Sequence, residues 1–273
     1  MGAQRRITGG LVVALVVVGV SGCGDGAPDP APRSSATARP AEATPAPSED
    51  ATSPCLRVDG NCLGTLVPGD FASTQFAAFG SPGTDQFTYS VTDSSWANAL
   101  DHAAGYWFQG ADAYDGSNGD AVLEGVYLFS DAAASKQAYP ECAEESDPSV
   151  PTDAASLIRW VRGLPDLETE PVESLVTASG SAPGIRIRAT PGVFGACYDG
   201  ATVRTFVASR PGAADPYVWG ITATEAIEAH FLDLGAGHTV AILFYAPGGT
   251  LRPEFVRRAR QLAASFAFHD PGR

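Results

Sequence analysis

The stretch His230-Phe-Leu-Asp-Leu-Gly-Ala-Gly-His-Thr-Val-Ala-Ile-Leu-Phe-Tyr245 decides the fold of this chain. It contains two short apolar runs, His230–Leu234 and His238–Tyr245, on either side of the glycine turn Gly235-Ala-Gly237. Apolar runs that flank a short glycine-containing turn are typical of a β-hairpin. The sequence therefore predicts an antiparallel hairpin here, around which the other strands and helices pack.

Further strands are expected on both sides of this hairpin. The segment Phe87–Val91 alternates apolar and polar residues, which is the pattern of a strand with one buried face. The segment Ile185–Arg188 alternates isoleucine with arginine, which predicts a strand with a charged outer face. Short apolar runs predict the remaining strands at 106–108, 122–129, 172–176, 203–208, 217–221 and 266–268.

Two or three helices are expected to pack on these strands. Apolar residues recur at helical spacing within Ala154–Val161, and Thr152 or Asp153 can cap the start of that helix. A second helix is predicted at Pro253–Ala264, with an apolar stripe and its arginines off that stripe, and a short third helix at Ala132–Ala138. Hairpin-length connections between about eight strands predict the α+β class, with a single mostly antiparallel sheet and two or three packed helices.

The N-terminal residues have the composition of an export signal. Arg5 and Arg6 precede the apolar run Leu11–Val20, which is followed by small residues. As a helix this run would reach about 15 Å at ~1.5 Å per residue. A membrane-spanning helix must cross roughly 30 Å of hydrocarbon. We therefore interpret residues 1–22 as a signal peptide and not as a transmembrane segment.

The end of this leader, Val20-Ser21-Gly22-Cys23, resembles the lipobox of bacterial lipoproteins. The resemblance implies that the Cys23 thiol is diacylglycerylated and that the signal is cut just before it. The protein would then be held by lipid on the extracytoplasmic face of the cell membrane. Two other interpretations are an ordinary secretory signal that happens to contain a cysteine and a signal anchor that is not cleaved.

Residues 24–54 are interpreted as a disordered tether. The segment contains seven prolines and no valine, isoleucine, leucine or aromatic residue. Such a segment buries too little apolar area to offset the entropy of ordering. The predicted organisation is a signal peptide at 1–22, the lipidated cysteine and linker at 23–54, and one globular domain at 55–273. A proline-rich docking peptide is the other interpretation of the linker.

The charge of the chain excludes some classes of partner. The formal net charge is −14, and loss of the two leader arginines makes it −16. Such an acidic surface argues against nucleic acid and against a membrane footprint held by charge. The glycine-rich turns lack a phosphate-loop lysine and a dinucleotide fingerprint, so no nucleotide cofactor is expected. The use of 16 arginines and one lysine is typical of GC-rich genomes and suggests an actinobacterial source.

The four cysteines after the leader are expected to form disulfides. They are Cys55, Cys62, Cys142 and Cys197, an even number in an exported chain. Three pairings are open, and we favour Cys55–Cys62 with Cys142–Cys197 because Asp59-Gly60-Asn61 can form the turn of the short loop. A zinc site is the alternative, but there is no CxxC pair and no histidine beside these cysteines.

No convincing catalytic constellation is found. Asp101-His102 is half of a possible dyad, and His230, Asp233 and His238 offer a base or, if the histidines meet across the hairpin, a zinc site. A nucleophile is missing, because Gly-x-Ser-x-Gly does not occur and Gly180-Ser181, in a predicted turn at 179–184, lacks that frame. The interpretation is a protein that is not an enzyme, with no catalytic or metal residues assigned.

Two further groups of residues are candidate ligand sites. The loop at 111–120 and the segment after it carry oxygen ligands of the kind that calcium prefers, at Asp112, Asp115, Asn118, Asp120 and Glu124. Their spacing does not match that of an EF-hand. These residue types also fill ordinary turns. Trp96, Tyr106 and Trp107 are favoured as core residues over a ligand cleft.

The segment Tyr89-Ser-Val-Thr-Asp-Ser-Ser-Trp96 and the order of strands and helices resemble secreted lipoproteins of the Mog1/PsbP-like type. The Pro-Gly pair that often precedes such a tryptophan is absent here. This resemblance implies a compact non-catalytic module. The function expected is a lipid-anchored envelope protein that binds an envelope protein or a small ligand. The alternative is an envelope hydrolase with His102, His230 or His238 as its base.

Overall fold

The computed structural model of the protein describes residues 63–81, 85–114, 123–136, 145–190, 204–209 and 218–272. Within these ranges the chain forms fourteen strands and two helices. In chain order they are β1 (Gly64–Thr65), β2 (Gly69–Ala72), β3 (Phe87–Val91), β4 (Trp96–Asp101), β5 (Gly105–Gly110), β6 (Gly125–Phe129), β7 (Ala132–Ala134), α1 (Ala154–Gly163), β8 (Leu167–Thr177), β9 (Gly180–Ala189), β10 (Arg204–Ser209), β11 (Val218–Ile221), β12 (Glu225–Gly235), β13 (His238–Pro247), α2 (Pro253–Ala263) and β14 (Ala267–Phe268).

The predicted hairpin is the centre of the largest sheet. β12 and β13 pair antiparallel from Glu225 opposite Pro247 to Gly235 opposite His238. The turn has positive φ at Gly235, Ala236 and Gly237, a conformation that glycine adopts without strain. This hairpin continues into an eight-stranded sheet in the order β1-β4-β5-β6-β13-β12-β9-β8. The prediction of a mostly antiparallel fold with few helices is confirmed.

The expectation of a single sheet was too simple, because two small sheets accompany the large one. One has the order β14-β3-β2 and the other β11-β10-β7. The alternation in β3 predicted its buried face correctly, with Phe87, Tyr89 and Val91 all buried. Alternation does not specify a hydrogen-bonding partner, however, and β3 pairs with β2 and β14 and lies over the large sheet as a second layer.

The large sheet is covered on both faces. One face packs against β3 and α2 through the side chains of Phe87, Tyr89, Tyr106, Phe108, Leu128, Ile242, Phe244, Phe255, Ala259 and Leu262. The other face packs against α1 and β11 through Trp107, Tyr127, Phe129, Leu157, Val161, Ile185, Ile187, Trp219, Ile221 and Leu243. Burial on both faces explains why β6 and most of β13 are continuous apolar runs with no alternation.

The two main helices form as predicted. Asp153 is the N-cap of α1, and its side chain accepts a hydrogen bond from Ser156 N at 2.9 Å. Asp233, from the central hairpin, accepts a hydrogen bond from Ala154 N at 2.8 Å and so fixes α1 to β12. Pro253 stands at the first turn of α2, where no amide donor is needed.

Two local predictions were wrong. The short helix expected at Ala132–Ala138 is the strand β7 over Ala132–Ala134, which pairs with β10 and is fully enclosed. Alanine favours helix intrinsically, but burial between β10 and the core decides its conformation here. The turn expected at 179–184 is also shorter, because β9 already begins at Gly180 and pairs with Thr177.

Several predictions lie outside the described residues. These are the signal peptide, Cys23, the linker to residue 54 and the four cysteines Cys55, Cys62, Cys142 and Cys197. Of the helices that the structure describes, neither has the length and apolarity to cross a membrane.

Candidate functional site

A charged cleft lies at the β8 edge of the large sheet. It has a volume of about 170 Å³ and is lined by Glu168, Thr169, Glu170, Arg186 and Arg188. The antiparallel register places Glu168 opposite Arg188 and Glu170 opposite Arg186. Because side chains alternate along a strand, these four charged residues project from one face of the sheet. The register thus assembles a mixed-charge surface from two neighbouring strands.

A buried carboxylate, Glu228 of β12, anchors this surface from inside. Only 1% of its side chain is exposed. It interacts with Arg186 at 3.0 Å, with Arg260 of α2 at 2.6 Å and with His230 Nε2 at 3.0 Å. Burial alone would raise the pKa of this carboxyl, but the hydrogen bond with His230, together with Arg186 and Arg260, lowers the pKa to about 2. Glu228 is therefore a permanent negative charge beneath the cleft.

Arg186 connects the buried charge to the cleft. Its Nη1 donates to Glu170 at 2.8 Å and its Nη2 to Glu228 at 3.0 Å. Burial opposes its positive charge, but the hydrogen bonds with Glu228 and Glu170 raise the pKa of the guanidinium above its ordinary value. The Nε atom is buried and has no hydrogen-bond partner among the described residues. The guanidinium is thus held in place by an inner and an outer carboxylate.

Arg260 fastens the edge strand to α2. Besides its ion pair with Glu228, it donates to the backbone carbonyls of Glu173 at 3.0 Å and Ser174 at 3.3 Å, both in β8. The prediction that Arg260 lies off the apolar stripe of α2 agrees with this position. Among the described strands β8 is the last of the sheet, so these contacts attach the strand that carries Glu168 and Glu170 to α2.

His230, a residue considered as a catalytic base, is completely buried. Its ring lies 5.3 Å from that of Phe244, and its Nδ1 has no hydrogen-bond partner within the described part of the chain. A Cβ atom at Gly184 would come within 2.3 Å of this Nδ1. His230 occupies space that only a glycine at position 184 leaves open, and a substrate in the cleft cannot touch its ring.

His238 forms a separate pair with a carboxylate. Its Nδ1 lies 2.7 Å from Asp131 Oδ1, and its side chain is 15% exposed. The neighbouring Thr239 hydroxyl donates to Thr152 O at 2.7 Å and to Asp233 Oδ1 at 3.0 Å. Asp233 therefore serves the connection between the hairpin and α1, and it does not join His238 in a ligand set.

The hypothesis of a zinc site across the hairpin is wrong. His230 pairs with Ile242 and His238 pairs with Gly235. Four residues of β13 separate Ile242 from His238, which is about 13 Å at ~3.3 Å per residue. Across the described ranges, no group of three or more His, Cys, Asp or Glu side chains is arranged to hold a metal ion.

The Asp101 and His102 side chains each form hydrogen bonds with neighbouring parts of the chain. The Asp101 carboxylate accepts hydrogen bonds from Ser73 Oγ at 2.5 Å and from Thr74 N at 3.0 Å, which fixes the segment after β2. His102 Nδ1 accepts a long hydrogen bond from Ala104 N at 3.4 Å in the turn between β4 and β5. Both side chains have structural partners in this turn region.

The structure also describes part of the proposed calcium loop and the three aromatic residues that were candidates for a ligand cleft. Of the proposed calcium ligands, Asp115, Asn118 and Asp120 lie outside the described residues, and Glu124 is bound through both oxygens to Arg252, at 2.5 and 3.1 Å. The aromatic residues are core, as predicted: Trp96 and Tyr106 are buried on one face of the sheet and Trp107 on the other.

The sequence analysis did not predict the charged cleft, although it predicted the charged face of one of the two strands that form it. The alternation in Ile185–Arg188 predicted a charged outer face correctly, but the cross-strand glutamates were not connected with it. A second signal was Glu228, a carboxylate inside the apolar run Ala226–Leu232. A charge at the centre of a buried strand needs a partner, and that requirement points to Arg186 and Arg260.

Comparison with known proteins gives no family assignment. No model of a protein family matches the chain, and no curated protein matches it in sequence.

Proposed function

We propose that this protein is a lipoprotein of the cell envelope, anchored through Cys23 on the outer face of the cell membrane. Its globular domain is a non-enzymatic binding module, and the cleft between β8 and β9 is its binding site. The observation that carries the binding role is the cleft itself, where Arg186 is fixed by the buried Glu228 while other charged groups remain open to solvent. A preorganised charge of this kind lowers the cost of ordering a binding site.

The surroundings of the histidines support a non-enzymatic role. His230 is enclosed in the core beside Glu228, and His102 accepts a hydrogen bond within its own turn. A general base must lie within hydrogen-bond reach of the proton that it removes from the substrate. The full burial of His230 keeps it from meeting that requirement.

Cell fractionation tests the anchor. The full chain, expressed in an actinobacterial host, is expected in the membrane fraction, and Cys23→Ser is expected in the medium because the lipidated thiol is lost. Ser21→Ala is the matched control, since a small residue remains at that position and membrane retention should persist. Retention of Cys23→Ser in the membrane fraction would mean that another segment holds the protein there.

Native mass spectrometry tests the binding role. The chain is purified from membranes in mild detergent, and the wild type is expected to carry a bound molecule that Arg188→Gln lacks. Arg257→Gln is the control, because Arg257 is an exposed arginine on α2 outside the cleft. Identical spectra for the wild type and Arg188→Gln would argue against this cleft as the binding site.

An envelope hydrolase is the second candidate, and the His238–Asp131 pair is the observation that favours it. A carboxylate on Nδ1 at 2.7 Å orients an imidazole as in many general bases. Under this alternative, His238→Ala would abolish the turnover of model esters or envelope-polymer fragments, while His230→Gln would lower activity only by destabilising the fold. We expect no turnover by the wild type.

A further inference from the structure

The cleft presents one positive and one negative side chain that face each other across two strands without forming an ion pair. Glu168 and Arg188 are directly opposite in the β8–β9 register, and both are exposed and line the cleft. Within the described ranges, neither side chain has an ion-pair partner within 4.0 Å. The adjacent cross-strand pair behaves differently, because Arg186 and Glu170 are in contact at 2.8 Å.

The charges left available in the cleft are therefore balanced. Arg186 is shared between Glu170 and Glu228, so its charge is already compensated within the protein. One guanidinium, on Arg188, and one carboxylate, on Glu168, remain for a ligand. A purely anionic ligand would pair with Arg188 and be repelled by Glu168, and a purely cationic ligand would do the reverse. A zwitterion can form an ion pair with each of them.

The size of the cleft narrows the class of zwitterion further. Sites for drug-sized ligands have volumes of ≈ 300–1,000 Å³, and this cleft has about 170 Å³. It suits a molecule in which the ammonium and carboxylate groups are close together. Guanidinium binds a carboxylate through two parallel hydrogen bonds, and a carboxylate accepts from an ammonium group. Thr169, between Glu168 and Glu170 on β8, completes the lining of the cleft.

From this geometry we infer that the β8–β9 cleft binds a free α-amino acid, with its carboxylate on Arg188 and its ammonium group on Glu168. This inference rests on the proposed binding role of the domain and names the ligand class. Arg186, held by Glu228, forms the fixed floor of the site, and Arg260 keeps the β8 wall in position.

Isothermal titration calorimetry of the detergent-solubilised full chain tests the inference. The probes are L-alanine, L-glutamate, L-lysine and L-phenylalanine, followed by two derivatives of the tightest binder, its N-acetyl form without the ammonium charge and its amide without the carboxylate. Binding of at least one amino acid is expected, and each derivative should bind about tenfold or more weakly, as the loss of one charged hydrogen-bonded contact requires.

Variants of the protein identify which side chain recognises which end of the ligand. Arg188→Gln should weaken binding of the amino acid about tenfold but leave binding of the amide unchanged. Glu168→Gln should also weaken binding of the amino acid about tenfold but leave binding of the N-acetyl form unchanged. Arg257→Gln and Glu173→Gln are matched controls, because both residues are exposed and lie outside the cleft lining. Their affinities should stay within about twofold of the wild type.

Three results would overturn the inference: no binding of any probe at millimolar concentration, equal binding of the derivatives, or equal effects of the cleft and control variants. If native mass spectrometry still shows a bound molecule that Arg188→Gln lacks, only the ligand class is wrong and the binding role stands. If the wild type and Arg188→Gln give identical spectra as well, the binding role proposed for the cleft fails with it.

Discussion

At the scale of single residues, Gly184 and His230 show how a buried polar side chain is accommodated. His230 lies in the ladder opposite Gly184, and its Nδ1 fills the space that a Cβ at position 184 would need. The other ring nitrogen reaches Glu228 at 3.0 Å. A glycine inside a strand normally weakens it, so this one is explained by the close approach of a neighbouring ring.

Substitution of this glycine should therefore destabilise the fold. A Cβ at position 184 would lie 2.3 Å from His230 Nδ1 and 2.8 Å from Val172 Cγ2, so Gly184→Ala should lower the free energy of unfolding by about 1–3 kcal/mol through overpacking. Gly163→Ala is the control, since nothing lies within 4 Å of its Cβ position at the end of α1. Urea denaturation measures both, and an equal effect would show that His230 is not tightly enclosed.

The Glu228 charge gives a pH dependence of known sign. Its pKa in the folded protein is about 2, below the ordinary glutamate value of 4.5, so its contribution to stability is fully present above pH 4.5. That contribution is lost as the pH falls from 4.5 through 2, and it corresponds to about 3 kcal/mol at 1.36 kcal/mol per unit. Denaturation curves between pH 2 and 7 should show this loss for the wild type and not for Glu228→Gln. Glu173→Gln should keep the wild-type slope.

At the scale of elements, the cap of α1 links the helix to the central hairpin. Asp153 accepts from Ser156 N within α1, and the first amide of the helix donates to Asp233 of β12. Both contacts use backbone donors that an α-helix leaves unpaired at its N-terminus. The helix therefore depends on one residue of its own and on one residue of the hairpin that it covers.

Removal of the Asp153 cap should lower the stability of the fold by a predictable amount. Asp153→Ala is expected to lower the free energy of unfolding by about 1 kcal/mol, whereas Asp153→Asn should keep most of the cap because the amide oxygen still accepts the bond. Thermal unfolding followed by circular dichroism compares the two variants. Equal destabilisation by both would mean that the negative charge at the helix terminus, and not the hydrogen bond, supplies the effect.

Local sequence pattern predicted most elements but not their partners. The helical spacing of Ala154–Val161 and the glycine turn of the hairpin are signals within one segment, and both were correct. The failure at Ala132–Ala134 arose because alanine carries no strand signal, and its pairing with β10 is separated from it by about 70 residues of chain. The site was missed for the same reason, since only the pairing of β8, β9 and β12 places Glu168 opposite Arg188 and Glu228 opposite Arg186.

At the scale of the whole molecule, the central sheet separates two kinds of surface. Both of its faces are closed by helices and small sheets over most of its width, and its β8 edge carries the charged cleft. An edge strand exposes unpaired backbone groups and is a site of unwanted pairing unless charges or proline protect it. β8 carries Glu168, Glu170, Pro171 and Glu173, and two of these edge-protecting residues, Glu168 and Glu170, also line the proposed site.

The cysteines provide the last prediction at this scale. In an exported domain we expect Cys55–Cys62 and Cys142–Cys197, and peptide mapping without reductant should recover both cross-linked pairs. The Cys142–Cys197 loop is much the longer, so its closure should restrict the unfolded chain more. Cys142→Ser with Cys197→Ser should lower the free energy of unfolding by about 2–4 kcal/mol, and Cys55→Ser with Cys62→Ser by less. Four free thiols in the protein purified from the envelope would contradict both the pairing and the extracytoplasmic location, because the two rest on the same oxidising compartment.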